Sequence, residues 1–309
     1  MSSSVGIDVS STTLAVHIRP ENVNFSVSND LDGFKLLVEK LGEYQVSAIL
    51  LEATGGYECN ALRALQAADF PACRINPSRV RDFAKSIGKR AKTDPIDAAV
   101  LAHFAEVLPP QPCEVITPER ALLRELLIQR DRFVQQRDDD RRRLKQTPPA
   151  SIRNRLEGHI TYLKGEIKGL EAEIAQQAES LHDDRVEKLM QVKGIGLVTA
   201  AKLIALLPEL GRVSRWEIAA LVGVAPFNED SGKHSGKRSI WGGRSRVRRA
   251  LYMACWIVIR YNKHFSERYS TLRARGKCAK VALVACMRIL IVRLNAMLNT
   301  GKPWKEQED

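Results

Sequence analysis

Eight apolar residues, Leu156, Ile160, Leu163, Ile167, Leu170, Ile174, Ala178 and Leu181, recur at spacings of 4, 3, 4, 3, 4, 4 and 3. That period approximates a heptad seam, and only a long helix presents it as one stripe. Pro148-Pro149 precedes the seam and breaks an earlier charged helix, 119–145, which is apolar early (Leu122, Leu123, Leu126, Leu127) and polar later. Two helices joined by a Pro-Pro turn predict a long coiled-coil hairpin over residues 113–184. Its second helix would span roughly 45–50 Å at ~1.5 Å per residue. One seam of that length is more apolar edge than a lone hairpin can bury, so the hairpin is expected to mediate dimer contacts. Arg141-Arg142-Arg143, directly after Asp138-Asp139-Asp140, reads as a solvated helix surface.

The hairpin separates two segments of different character. Residues 1–112 begin with three short strands, 5–9, 12–18 and 23–27, apolar or alternating. Helix 33–41, strand 47–51, helix 57–67, strand 71–75, helix 77–87 and helix 95–107 follow. Strands first and then alternation of helix and strand indicate an α/β domain with a mixed sheet. Residues 185–309 predict an all-α domain that ends in two long helices, about 245–262 and 277–299. Near its start, Gly194-Ile195-Gly196 leads into a helix, a pattern similar to a helix-hairpin-helix turn that grips phosphates through helix N-terminal amides. An ordinary glycine-containing helix connection has the same sequence.

The net charge of +12 is unevenly spread. Residues 1–110 balance to −2, residues 111–230 to zero, and residues 231–309 to +14. A positive excess confined to the last quarter points to nucleic acid as the partner. Six scattered cysteines (Cys59, Cys73, Cys113, Cys255, Cys278, Cys286) form no CxxC pair, which argues against a zinc knuckle or a disulfide framework. The N-terminus has no signal-peptide pattern, and the apolar run 279–298 is interrupted by Lys280, Arg288, Arg293 and Asn295. A buried helix, no membrane span and a cytoplasmic location are expected.

Four acids stand out. Asp8 lies inside the first apolar strand, where a carboxylate is costly unless paired or metal-bound. Glu52 ends the strand 47–51. Asp94 and Asp97, three apart, share a face at the start of a helix. Pro95 at the first helical position also makes Asp94 a natural N-cap. Acids at strand ends and at one helix start can converge on one sheet edge, where a hard divalent cation would neutralise them. Such ions serve phosphodiester chemistry. From Ser231 to Arg249 there are seven basic residues (Lys233, Lys237, Arg238, Arg244, Arg246, Arg248, Arg249) and no acid, a composition suited to gripping phosphates. Trp241, Tyr252, Trp256 and Tyr261 lie beside this stretch. They could stack on bases, but core packing is expected for most of them.

The blocks Gly6-Ile7-Asp8, Leu51-Glu52-Ala53-Thr54-Gly55-Gly56-Tyr57, Ile75-Asn76-Pro77 and Lys92-Thr93-Asp94-Pro95-Ile96-Asp97-Ala98 resemble, in order and spacing, the signatures of the DEDD insertion-sequence transposases. These are bridge-RNA-guided serine recombinases. The resemblance covers nearly the whole chain; Ser11 departs where a basic residue is more usual. It implies an RNase H-like (RuvC-like) N-terminal domain and an all-α transposase domain. It further implies Mg²⁺ (or Mn²⁺) on Asp8, Glu52, Asp94 and Asp97, and donor and target DNA as substrates. A guide RNA, and a dimer that becomes a tetramer at synapsis, are also implied. The Ser-Gly after Gly223-Val224-Ala225-Pro226 resembles the family's catalytic serine, which maps to Ser231; Ser235 and Ser239 are rivals in the same loop. Activation would come from the metal or from a neighbouring base. Two other functions fit the residues: a resolvase-like nuclease using metal-activated water, and a non-catalytic nucleic-acid scaffold.

Overall fold

The structure is a computed structural model that describes residues 2–89, 94–108, 117–146, 149–227 and 239–304. It divides into two compact units, 1–116 and 117–309. The boundary expected at 112–113, with Cys113, falls outside the described residues.

The first unit is built on a five-stranded sheet. Strands β1 (Ser3–Val9), β2 (Thr13–Arg19) and β3 (Val23–Ser28) form an antiparallel meander, and β4 (Val46–Glu52) and β5 (Ala72–Ile75) add parallel strands beyond β1. The order is β3-β2-β1-β4-β5. β1 is central, and Val5, Ile7 and Val9 are buried, as a nearly unbroken apolar run requires. Helix α1 (Leu31–Leu41) connects β3 to β4, and α2 (Glu58–Ala67) connects β4 to β5. Both pack with one face of the sheet in a core that includes Val5, Ile7, Leu37, Ile49 and Leu65. Helices α3 (Pro77–Ser86) and α4 (Asp94–Val107) cover the other face, with Ala48, Leu50, Val80, Leu101 and Phe104 in its core. Cap chemistry sets the helix starts: the Asp30 carboxylate accepts from the Gly33 amide at 2.8 Å, and Asn76 caps α3 with Pro77 at its first position. This mixed sheet, covered on both faces, is consistent with the expected RNase H-like domain.

The second unit is helical. Helices α5 (Pro118–Leu144) and α6 (Ala150–Ser180) run antiparallel: Glu119 is opposite Gln177, Arg130 opposite Glu171, and Asp140 opposite His159. Leu156, Ile160, Leu163, Ile167, Ile174 and Ala178 of the seam are buried within this chain. The argument that the seam needs a partner copy therefore fails, because α5 and the next helices already cover it. The hairpin's base is tied to α8 (Leu197–Leu206) through a shared cluster of Leu123, Leu127, Ile174 and Ala201. The Lys202 ammonium of α8, nearly buried, pairs with Asp131 of α5.

Helices α7 (Asp184–Met190), α9 (Arg215–Val222), α10 (Ser245–Tyr261), α11 (Lys263–Ala274) and α12 (Ala279–Thr300) complete the unit, with a two-residue ribbon of β6 (Pro226–Phe227) and β7 (Ser239–Ile240). By length and mean hydropathy α12 does reach the measure of a membrane span, although Lys280, Arg288, Arg293 and Asn295 interrupt it. Within the unit it is a core helix: Leu283, Met287, Leu290, Ile291 and Leu294 are buried among α7 to α11. Its buried Asn295 accepts from the Gly211 amide and donates to the Val213 carbonyl, both at 2.8 Å, so a polar group inside the stripe is satisfied. α7, α9, α11 and the β6–β7 ribbon were not anticipated. α9 starts at a complete capping box between Ser214 and Glu217, and α11 is split from α10 by Asn262, whose side chain accepts from the Phe265 amide.

Candidate carboxylate site and basic loop

Strand register places the first two acids. β1 and β4 pair in parallel with Ile7 beside Leu51, so the next residues, Asp8 and Glu52, are neighbours at the carboxyl ends of adjacent strands. Both are half-buried. The face they occupy follows from Gly6. A Cβ there would lie 2.1 Å from the Ala98 carbonyl oxygen and 2.3 Å from the Ala102 nitrogen, so α4 crosses β1 at backbone contact. Asp8, two residues on, shares that face. Glu52 follows Leu50, which packs with Val100 and Leu101, on the same face.

Helix α4 runs antiparallel to β1. Its late residue Glu106 bonds Arg19, at 2.7 Å, and Arg19 pairs across the ladder with Ser4. Ala98 and Ala102 lie over Gly6. The first turn, carrying Asp94 and Asp97, therefore extends to the level of Asp8. The strands and helix thus bring these four positions to one end of one sheet face. Asp97 is half-buried, and the Asp94 side chain lies outside the described residues. Among the described residues no three carboxylate, imidazole or thiol groups stand close enough to hold a metal ion. An all-oxygen donor set of this kind suits a hard cation such as Mg²⁺ or Mn²⁺. The turn after Glu52 also holds a buried hydroxyl oxygen, Thr54 Oγ1, with no hydrogen-bond partner among the described residues.

Sequence reasoning missed Glu58. Its side chain is only 2% exposed. Oε2 accepts from the amides of Thr54 (3.2 Å) and Gly56 (2.9 Å), and Oε1 meets the Arg74 guanidinium at 3.1 Å. Burial opposes its ionisation, but the backbone amides and Arg74 outweigh burial and hold the carboxyl below the usual range. One buried anion thereby pins the turn that follows Glu52, in which Gly55 and Gly56 take positive φ of 79° and 119°. The sequence hint was an acid after two glycines at a helix start, where amides are free to be capped.

The basic loop is anchored at both ends. Pro226 pairs with Ile240 and Phe227 with Ser239, which joins the two flanks of residues 228–238. Ser231, Ser235, Lys233, Lys237 and Arg238 lie outside the described residues. The rival Ser239 sits in β7 and is exposed. Two of the arginines expected on phosphate have internal partners. Arg244 makes a two-pronged pair with Glu209, both bonds 2.5 Å, and donates to the Leu206 carbonyl at 3.1 Å. Arg248 donates to the carbonyls of Val222, Gly223 and Gly242 at 3.1, 3.3 and 2.7 Å. A side chain at Gly223 would strike that guanidinium, at 2.2 Å, so glycine, with φ of 76°, is required where the two flanks cross. Arg246 is half-exposed and Arg249 exposed.

Gly194 takes φ of 108° between α7 and α8 and backs onto α10, where an added Cβ would meet the Ala254 carbonyl and Ile257 at 3.1 Å. Gly196 is the exposed N-cap residue of α8, with open space around it. The expectation that most nearby aromatics are core residues is overturned. Trp241 is 70% exposed, Tyr261 50%, Trp256 37% and Tyr252 36%. The three on α10 (Tyr252, Trp256 and Tyr261) lie outside the core because the helix turns its aliphatic half inward instead.

The DEDD IS110 transposase model matches residues 5–147, and the model described as transposase IS116/IS110/IS902 family matches residues 186–270. The chain is 24% identical to the pilin gene-inverting proteins of Moraxella lacunata and Moraxella bovis, over 98% of each chain. It is 28% identical to an uncharacterised 43.6 kDa protein of insertion element IS110 from Streptomyces coelicolor, over 47% of this chain and 36% of the other. The two matched models together take in most of the sheet unit and most of the helical one, and the chain belongs to the IS110 family of DNA transposases.

Proposed function

We propose that the protein exchanges DNA strands through a serine nucleophile, with the RuvC-like unit holding Mg²⁺ or Mn²⁺ on Asp8, Glu52, Asp94 and Asp97. The observation that supports it best is the β1–β4 register, which makes Asp8 and Glu52 neighbours, together with the crossing of α4 over β1 at Gly6. A bound divalent ion would supply charge neutralisation at the scissile phosphate. Ser231 Oγ attacks phosphorus and loses its proton. The bond to one deoxyribose oxygen breaks, and that oxygen leaves as a hydroxyl. A hydroxyl from the partner strand then attacks the phosphoserine, re-forming the diester and restoring the serine. The number of phosphoester bonds is conserved, so no energy source is needed.

The β6–β7 ribbon, with Arg244 and Arg248 holding its flanks, supports the proposal that Ser231, with Lys233, Lys237 and Arg238, acts from the segment between the two strands. Arg246, Arg249 and the amides at Gly194 and Gly196 are proposed to hold phosphates. Relatives named as pilin gene-inverting proteins support a conservative exchange of strands. We further propose donor and target DNA as substrates in the bacterial cytoplasm, a guide RNA that selects them, and a dimer that becomes a tetramer at synapsis.

The deciding experiment incubates the full chain with supercoiled donor and target DNA, its RNA and Mg²⁺, then denatures. Wild type should yield a denaturant-stable protein–DNA adduct that Ser231→Ala lacks. Cleavage that persists in Ser231→Ala without any adduct would replace the serine with metal-activated water. Asp97→Asn should remove both adduct and cleavage while binding is retained.

A further inference from the structure

Helix α10 has two unlike halves. Val247, Leu251, Ala254, Cys255, Val258 and Ile259 face the core. At about 3.6 residues per turn, the opposite half carries Tyr252, Met253, Trp256, Ile257 and Tyr261 together with Arg246, Arg249 and Arg260. Met253 is 66% and Ile257 45% exposed. This half holds neither a carboxylate nor an amide side chain. A solvated helix face would be rich in both. Edge-to-face packing with Tyr252 and Tyr269 fixes the plane of Trp256, at centroid distances of 6.5 and 5.6 Å. At the helix's end the exposed Lys193 ammonium sits 4.2 Å from the Tyr261 ring centre, and the Gly194 turn abuts Ile257. The helix face and the α7–α8 turn are thus one continuous basic and aromatic surface.

We propose that this α10 face is a stacking platform for unpaired nucleotides, with Trp256 and Tyr252 against bases and Arg249, Arg260 and Lys193 against the flanking phosphates. The charge pattern selects this occupant. Two copies of the face in a two-fold interface would oppose arginine to arginine with no acid on the helix to pair them. A bilayer is disfavoured because Arg249 and Arg260 run along the middle of the apolar stripe rather than at its borders, so insertion would desolvate them. Duplex DNA hides its base faces, whereas a displaced strand or an RNA loop offers them. The inference rests on reading the chain as a nucleic-acid enzyme, but it needs neither the serine nor the metal.

The test is fluorescence anisotropy of the full chain with labelled oligothymidylate, labelled oligouridylate and a labelled duplex, for wild type, Trp256→Leu, Tyr252→Leu and Arg249→Gln. Tyr252→Leu removes a second ring of similar exposure and guards against a folding defect in Trp256→Leu, which circular dichroism checks. Loss of one stacked base should weaken single-strand binding about 5- to 150-fold, the equivalent of ~1–3 kcal/mol, with duplex affinity little changed. Loss with both oligonucleotides, or with only one, supports the platform, and the second case identifies whether DNA or RNA uses it. Unaltered single-strand affinity in the folded variants overturns the proposal. So does equal loss on the duplex in the two ring variants, or sedimentation showing that the variants only dissociate a wild-type dimer. Adduct formation is read separately, so failure of the serine mechanism leaves this result standing, and the reverse also holds.

Discussion

At the scale of single residues, Gly6 and Glu58 set the geometry of the acidic end. Gly6 allows α4 to lie on β1 at backbone contact. Gly6→Ala should cost roughly 1–3 kcal/mol in urea unfolding, as an overpacked core site does, and should weaken Mn²⁺ binding by lifting Asp94 and Asp97 from Asp8. Unchanged stability would mean that α4 does not approach β1 this closely. Glu58 acts through charge. Its folded-state carboxyl titrates below its ordinary value of 4.5, so it stabilises the fold fully above that pH and loses the contribution as pH falls through the lower, folded value. Glu58→Gln should lower stability near neutral pH by about 1–3 kcal/mol and flatten the acid limb of the stability curve. A parallel drop at every pH would show that the ionised form is not what the turn needs. Asp8 and Glu52 were legible because an acid in or ending an apolar strand is conspicuous. Glu58 was not, because its partners are amides and an arginine sixteen residues away, brought together only by the β4–β5 pairing.

At the scale of elements, period and caps carried most of the information. The five strands and the four helices of the first unit follow alternation, Asx caps and prolines visible in the chain, and their ends shift by a residue or two. The hairpin followed from its heptad stripe, but what covers the stripe did not. Pattern shows that a face must be buried, not whether the cover is the same chain. Here α5 and α8 supply it. Leu163→Ala should cost about 2–5 kcal/mol in urea unfolding and leave the oligomeric state in sedimentation as in wild type. Loss of a wild-type oligomer in the folded variant would instead place the seam at an interface between copies. α11 was missed because its apolar signal is thin and its start rests on one buried side chain, Asn262, which terminates α10 and caps the next helix.

At the scale of the whole molecule, the net positive excess confined to residues 231–309 pointed to the partner class, but a count of arginines does not say which of them are free to meet it. Arg244 and Arg248 hold the loop flanks to α8 and α9, so Arg244 Nη1 and Nη2 and Arg248 Nη1 already have partners, while Arg249 faces solvent. Each phosphate contact made by an arginine adds about 0.9 to the slope of log affinity against log salt for duplex DNA. Arg249→Gln should therefore reduce that slope by roughly one while thermal stability stays near wild type. Arg248→Gln should do the opposite: it strands three carbonyls, lowers the melting temperature, and leaves the slope of the folded protein unchanged. Salt titrations of duplex binding, paired with calorimetry on both variants, check this. If Arg248→Gln lowered the slope without loss of stability, its guanidinium would have to leave Val222, Gly223 and Gly242 when nucleic acid arrives, and the loop anchor would then be part of the binding event.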